Sequence, residues 1–283
     1  MCTKTADSGL RRQVAALVRH RVVVIGACGR MGLEVVRAVS SQEDMTVVGA
    51  VDLAHTSEDI GVLAGVGELG VAVVSDLREC LAASAATHAV DFTHPGAVYK
   101  NVTETLNSGV RPVVGTSGLR MTEVEALREQ ARRSRLGGVI APNFAIGAVL
   151  MMKFAVEASK YFPSVEIVEL HHDRKADAPS GTAIKTAEMI VASGSKPAER
   201  QVKEIESLAG ARGGVIEGIR IHSVRLPGLI AHQEVLMGAE GQTLTIRHDS
   251  MSRTSFMPGV LMAIRKVAGL DHLVYGLENL LDL

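Results

Sequence analysis

Tryptophan is absent from this 283-residue chain, and aromatic residues together make up only 3% of it. Stacking of single-stranded nucleic acid needs exposed rings, so that function is disfavoured. Charge of one sign is also lacking: 30 Lys and Arg against 31 Asp and Glu leave a formal net charge of −1. No broad positive footprint for DNA or RNA results, and any anion recognition must be local. Cys2, Cys28 and Cys80 are too few and too scattered for a disulfide framework, and none sits at zinc-ligand spacing. A reduced, cytoplasmic compartment is the simplest reading. No apolar run reaches the length needed to span a bilayer, so no membrane partner is expected. Among the first twenty residues, Arg11, Arg12 and Arg19 surround Leu10, Val14, Leu17 and Val18, the pattern of a short basic amphipathic helix. An extension ahead of the first strand is the simpler interpretation, and an organelle transit peptide the alternative.

What is present is an ordinary globular balance, with 47% apolar and 22% charged residues. The length suffices for two modest domains. From Arg21 onwards, short apolar runs alternate with helical patterns. The runs are Val22–Ile25, Thr46–Val51, Val71–Val74, Ala89–Phe92, Pro112–Val114 and Gly138–Ala141. Several are continuously apolar, as strands buried on both faces must be. Helices are expected over Met31–Ser40, Leu77–Ala83, Ala97–Asn107 and Thr122–Arg133, the last with capping-box spacing from Thr122 to Glu125. Repeated strand–helix–strand units predict a Rossmann-type, doubly wound parallel α/β sheet.

After Asn143 the texture changes to a second, α+β domain with an open mixed sheet. A helix is expected over Gly147–Lys160, a strand over Val165–Leu170 and a helix over Thr182–Val191. Strands follow at Gly218–Arg225, Ala231–Met237 and Gln242–His248, the last two joined through Gly238-Ala239-Glu240-Gly241. A final helix, Phe256–Ala268, is expected to pack back on the first domain. Residues 1–142 and 254–283 thus form the Rossmann-type domain, and residues 143–253 the second domain.

The segment Gly26-Ala27-Cys28-Gly29-Arg30-Met31-Gly32 follows an apolar strand and opens a helix. Gly26 permits the sharp turn, Gly29 lets backbone approach a pyrophosphate, and Gly32 allows close helix–strand packing. The free N–H groups and positive dipole of the helix start then favour phosphate. Asp52, ending the second strand twenty residues after Gly32, stands where a carboxylate accepts hydrogen bonds from an adenosine ribose. A tight turn without ligand is the alternative. Gly115-Thr116-Ser117-Gly118 and Ala141-Pro142-Asn143-Phe144 follow later strands, where ligands of open parallel sheets bind, although ordinary turns read the same way.

The segment Glu169–Ala183 carries His171 and His172, the cations Arg174 and Lys175, and a Ser180-Gly181-Thr182 turn opening a helix. Such a turn binds a carboxylate well. Lys175 adds a point charge, and an imidazole titrates where a proton donor must. Adjacent histidines on an extended strand point to opposite faces, so both serve one site only if the strand ends near Leu170. A structural role remains open for either histidine. No metal is expected, because adjacent histidines do not meet ligand spacing.

The stretch His171–Ala183, H-H-D-R-K-A-D-A-P-S-G-T-A, resembles the signature of the 4-hydroxy-tetrahydrodipicolinate reductase (dihydrodipicolinate reductase) family. So do Gly26–Gly32, Val90–Thr93 with Pro95, Gly115–Gly118 and Pro142–Gly147, in the same order. That resemblance implies NADH- or NADPH-dependent reduction of a small cyclic dicarboxylate on the route to diaminopimelate and lysine. It further implies that Gly26, Ala27, Cys28, Gly29, Arg30, Met31, Asp52, Gly115, Thr116, Ser117, Ala141, Pro142, Asn143 and Phe144 bind the cofactor. His171 becomes the acid/base residue and Lys175 the proton donor, with His172, Gly181 and Thr182 on the substrate carboxylates, beside Ser180. The same resemblance implies that residues 1–142 and 254–283 are the dinucleotide-binding domain, that residues 143–253 are the substrate-binding and oligomerisation domain, and that the protein is a homotetramer. Cys28 departs from a frequent glycine, and Leu53 stands where some members carry an arginine for a 2′-phosphate; Arg30 is the remaining source of that charge. Two rivals are a reductase of amino-acid semialdehydes, which would use a cysteine nucleophile, and an NADH sensor, which would need an output surface.

Overall fold

The computed structural model describes residues 20–195, 202 and 205–281. Cys2 and the amphipathic pattern of residues 1–19 lie outside them. The chain divides into two compact units, one running to Phe144 and resuming at Phe256, the other spanning Ala145–Ser255.

The first unit opens with strands β1 (His20–Ile25), β2 (Met45–Val51), β3 (Val73–Val74), β4 (His88–Asp91), β5 (Arg111–Val114) and β6 (Gly138–Ile140). Between them run helices α1 (Arg30–Ser40), α2 (Ile60–Ala64), α3 (Leu77–Ser84), α4 (Pro95–Asn107) and α5 (Met121–Ser134). The continuously apolar runs are strands because layers on both sides exclude water: Val22, Val23 and Val24 are all 0% exposed. Helix α1 buries Gly32, Val35, Val36 and Val39, the three- and four-residue spacing of one helical face. The side chains of Asp59 and Asp76 cap α2 and α3 by accepting backbone N–H bonds. The expected capping box at Thr122 is wrong. Helix α5 starts one residue earlier, Arg120 is its N-cap, and the Glu123 carboxylate accepts from the Arg120 N–H at 2.8 Å. Glutamate three residues into the helix outcompetes Glu125 because only there can it reach the cap. The predicted strand Val71–Val74 shortens to two residues.

The second unit comprises helices α6 (Ile146–Ser159) and α7 (Gly181–Ala192) and strands β7 (Ser164–His171), β8 (Gly214–Ile216), β9 (Ile219–Arg225), β10 (Ala231–Ala239) and β11 (Gln242–Ser250). Their order is β11-β10-β7-β9-β8. Only β7 and β9 are parallel, so the sheet is mixed. The hairpin is tighter than expected: Gly238 and Ala239 belong to β10, leaving Glu240-Gly241 as the connection. On β7, buried Val165, Ile167 and Glu169 alternate with half-buried Glu166, Val168 and Leu170, as a sheet covered by helices on one face requires.

The chain then returns to the first unit through helix α8 (Met257–Val267) and strand β12 (Leu273–Tyr275). Sequence reading found the helix and missed the strand. β12 pairs in parallel with β6 and completes a seven-stranded sheet, β12-β6-β5-β4-β1-β2-β3. All its pairings are parallel. The chain winds outward from β1 to β3 and then resumes at β4 on the other side of β1. Order reverses there, and a crevice opens at the carboxyl ends of those two strands.

Candidate active site

At that crevice, Gly26 adopts φ +76°, and a side chain there would place Cβ 2.7 Å from the Phe92 carbonyl oxygen. At Gly32 a Cβ would fall 2.1 Å from the Gly26 oxygen, so the helix could not approach the turn. Gly29 is the N-cap of α1 and supplies no side-chain cap, leaving the helix start available to an anion. The Asp52 carboxylate accepts from the Cys28 N–H at 2.9 Å and the Ala54 N–H at 3.0 Å, bracing the loop. Burial, then the negative charges of Asp52 and Glu58, push the Cys28 thiol up to about 11, so it is a poor nucleophile at neutral pH.

A cavity of about 730 Å³ opens beside this turn, lined by Gly26, Gly29, Asp52, Leu53, Thr93 and Asn101 among others. Ala27, Cys28, Arg30 and Met31 belong to the same turn without lining the cavity. Ala27 is 0% exposed, so its side chain packs into the core. Gly115, Thr116 and Ser117 sit at the end of β5, and Ala141, Pro142, Asn143 and Phe144 at the end of β6. Thr116, Ala141 and Phe144 are buried, and the Phe144 ring packs 6.0 Å from that of Phe92. Gly115 must be glycine because a Cβ would lie 2.1 Å from the Phe92 ring.

Sequence reading missed Asp91, which ties these loops together. It is 2% exposed and its Oδ1 accepts from the Thr93 N–H, the Thr93 hydroxyl and the Thr116 hydroxyl at 3.0, 2.8 and 2.6 Å. Its other oxygen accepts from the Asn101 amide at 2.9 Å. A lone aspartate within the otherwise apolar run Ala89–Phe92 was the available signal.

In the second unit, β7 runs through His171, one residue past the expected end, while His172 lies beyond the strand and escapes its alternation. His171 Nδ1 is 2.5 Å from Glu169 Oε2. Glu169 is 0% exposed. Burial alone would raise its pKa, yet hydrogen bonds from His171, Arg225 and Ser223 outweigh it and hold the carboxyl down to about 2. An anionic Glu169 makes Nδ1 the donor, which leaves Nε2 as the atom able to pass a proton outward. His172 Nδ1 is buried without a partner among the described residues.

Lys175 pairs with Asp177, its Nζ 2.8 and 2.7 Å from the two carboxylate oxygens. Ser180 caps α7 by accepting from the Ala183 N–H, and at 3% exposure its hydroxyl serves the helix rather than a ligand. Gly181 and Thr182 open α7, and a Cβ at Gly181 would meet nothing within 4 Å. A helix start bordered by open space can receive a carboxylate. No group of three metal-ligating side chains occurs among the described residues.

Comparison with known proteins bears on this arrangement. Residues 20–144 match the family model described as dihydrodipicolinate reductase, N-terminus, and residues 147–281 match dihydrodipicolinate reductase, C-terminus. The chain is 53% identical over 263 residues to 4-hydroxy-tetrahydrodipicolinate reductase of Syntrophomonas wolfei, covering 93% of this chain and 99% of that protein. A dipicolinate-bound dihydrodipicolinate reductase from Paenisporosarcina sp. TG-14 superposes with TM-score 0.83 at 45% identity, covering 93% of this chain and 99% of the other. An amine dehydrogenase from Mycobacterium smegmatis shares the fold at 16% identity, with TM-score 0.66 over 90% of this chain and 94% of that one.

Proposed function

The chain belongs to the dihydrodipicolinate reductase family, and from that premise we propose how its residues divide the work. It is an oxidoreductase that reduces 4-hydroxy-tetrahydrodipicolinate to tetrahydrodipicolinate in diaminopimelate and lysine biosynthesis, with a nicotinamide cofactor. The semialdehyde-reductase and NADH-sensor readings fall away.

The first unit holds the cofactor. The turn from Gly26 to Met31 takes the pyrophosphate on the α1 start, Asp52 takes ribose hydroxyls, and the loops Gly115–Ser117 and Ala141–Phe144 hold the remainder. When bound, the cofactor supplies a hydride. Both NADH and NADPH serve, NADH at least as well, because Asp52 repels a 2′-phosphate and exposed Leu53 offers it no charge.

The second unit holds the substrate, a small cyclic dicarboxylate. Gly181, Thr182 and His172 receive the carboxylates, with Ser180 fixing the helix start. His171 Nε2 and the Lys175 ammonium manage the proton that accompanies hydride addition and loss of water. The observation that carries this reading is the His171–Glu169 bond, which engages Nδ1 with a buried carboxylate and leaves Nε2 for proton transfer.

The enzyme works in the cytoplasm as a homotetramer assembled through the face of the five-stranded sheet opposite α6 and α7. That face presents half-buried Val168, Leu170 and Glu166 on its central strand. Light scattering on the purified protein tests the assembly. Oxidation of NADH on addition of the cyclic substrate tests the activity, and a chain inert to that substrate would sink the site reading.

A further inference from the structure

Behind the residues just assigned lies an ion pair that sequence reading did not single out. Glu169 on β7 and Arg225 on β9 sit on neighbouring parallel strands, where Glu169 pairs directly with Ser223 and Arg225 lies two residues further along β9. The guanidinium grips the carboxylate in a fork, Nη1 to Oε2 at 2.9 Å and Nη2 to Oε1 at 2.8 Å. Two further bonds leave this pair. Glu169 Oε1 accepts from the Ser180 N–H at 3.2 Å, and Arg225 Nη2 donates to the Asp177 carbonyl at 2.6 Å.

We propose that the pair of buried Glu169 with Arg225 is the positioning element of the substrate site, setting the His171 tautomer and fixing the loop that carries Lys175 and the α7 start. Three separate pieces converge on it. His171 is held through Nδ1, and the segment containing Lys175 is held through Asp177. The Gly181-Thr182 helix start is held through Ser180. The pair therefore bonds to three separate segments of the proposed substrate site, and it rests on that reading for its functional meaning.

The chemistry favours this role over simple stabilisation. An ion pair with its carboxylate buried and its guanidinium only 18% exposed contributes little to stability compared with apolar side chains of the same volume. It does impose direction, because a forked guanidinium admits one carboxylate orientation. That orientation presents one oxygen to His171 and the other to Ser180. A flipped imidazole would turn Nε2 to Glu169 and away from the place where it exchanges a proton.

The test begins with the unaltered enzyme. Nitrogen NMR of uniformly labelled protein, with His171 assigned by its loss in His171→Asn, is expected to show the proton on Nδ1 in the neutral ring. A neutral ring carrying it on Nε2 overturns the proposal. Glu169→Gln is then expected to mix the two tautomers and lower kcat by about 10²- to 10⁴-fold, the range for losing a positioned proton donor. The KM for NADH should change little. Should the unpaired arginine prevent folding, Glu169→Gln with Arg225→Met removes both charges, and the same two readouts apply. A folded variant with the original tautomer and undiminished kcat overturns the proposal. Failure of dipicolinate to bind an enzyme that keeps the Nδ1 proton would instead count against the substrate-site reading, because the NMR measurement needs no ligand.

Discussion

The Asp52 carboxylate accepts a hydrogen bond from the Cys28 backbone N–H at 2.9 Å, linking the end of β2 to the turn that follows β1. One oxygen thus braces the glycine turn while the residue remains at the cavity wall. Loop geometry and ribose recognition are therefore coupled through a single side chain.

Asp52→Ala is expected to raise the KM for NADH by about 10- to 100-fold, since a hydrogen bond to a charged group contributes roughly 1.5–3 kcal/mol. NADPH should suffer less, because the same change removes a repulsion from its 2′-phosphate. Steady-state kcat/KM with each cofactor checks this. In the unaltered enzyme NADH should equal or exceed NADPH, and a clear preference for NADPH would refute the role given to Asp52.

Lys175→Ala should lower kcat by about 10²- to 10⁴-fold while leaving NADH binding nearly intact. The ammonium stands paired with an exposed aspartate, Asp177, which substrate carboxylates can displace as partner. Fluorescence titration of NADH alongside turnover separates the two effects. Full kcat/KM in a folded variant would remove Lys175 from the mechanism.

Gly181→Val should raise the substrate KM or abolish turnover with the fold preserved. The new Cβ would enter open space, with no atom from beyond its own helix turn within 4 Å, where a bound carboxylate would meet it. Dipicolinate should compete with substrate in the parent enzyme and fail to bind the variant. Equal dipicolinate affinity for both would place the carboxylate pocket elsewhere.

Stability should fall on mild acidification through His88. It is 1% exposed at the start of β4, against His20 and Arg111, with Thr87 Oγ1 at 2.8 Å from Nδ1. Burial, then the charges of His20 and Arg111, push its pKa from 6.5 down to about 3. Below 6.5 the unfolded chain takes up a proton that the folded chain refuses. Stability fully present above that pH is therefore lost as pH falls towards 3, by at most about 1.4 kcal/mol per pH unit. The thermal midpoint of His88→Leu should decline less steeply between pH 6.5 and 5 than that of the parent. Parallel declines would assign the acid sensitivity to other groups.

Much of this was legible in the chain itself. Continuously apolar runs such as Val22–Ile25 can only be strands shielded on both faces, so the parallel sheet followed from local pattern. Gly26, Gly29 and Gly32 announced the turn because their spacing reflects three separate steric demands within seven residues. His171, Lys175 and Gly181 lay in one short segment and could be read together. Three features needed the folded chain. Strand β12 is only three residues long and becomes a strand through pairing with β6, far earlier in the sequence. Asp91 gathers Thr93, Asn101 and Thr116 from three different segments. Glu169 and Arg225 are 56 positions apart, on strands whose adjacency only the sheet order creates. Sequence determines what repeats or clusters along the chain, because local sterics and solvent exclusion act there. Tertiary structure decided which distant charges meet, because burying a carboxylate is tolerable only where the fold brings a cation and N–H donors to the same point.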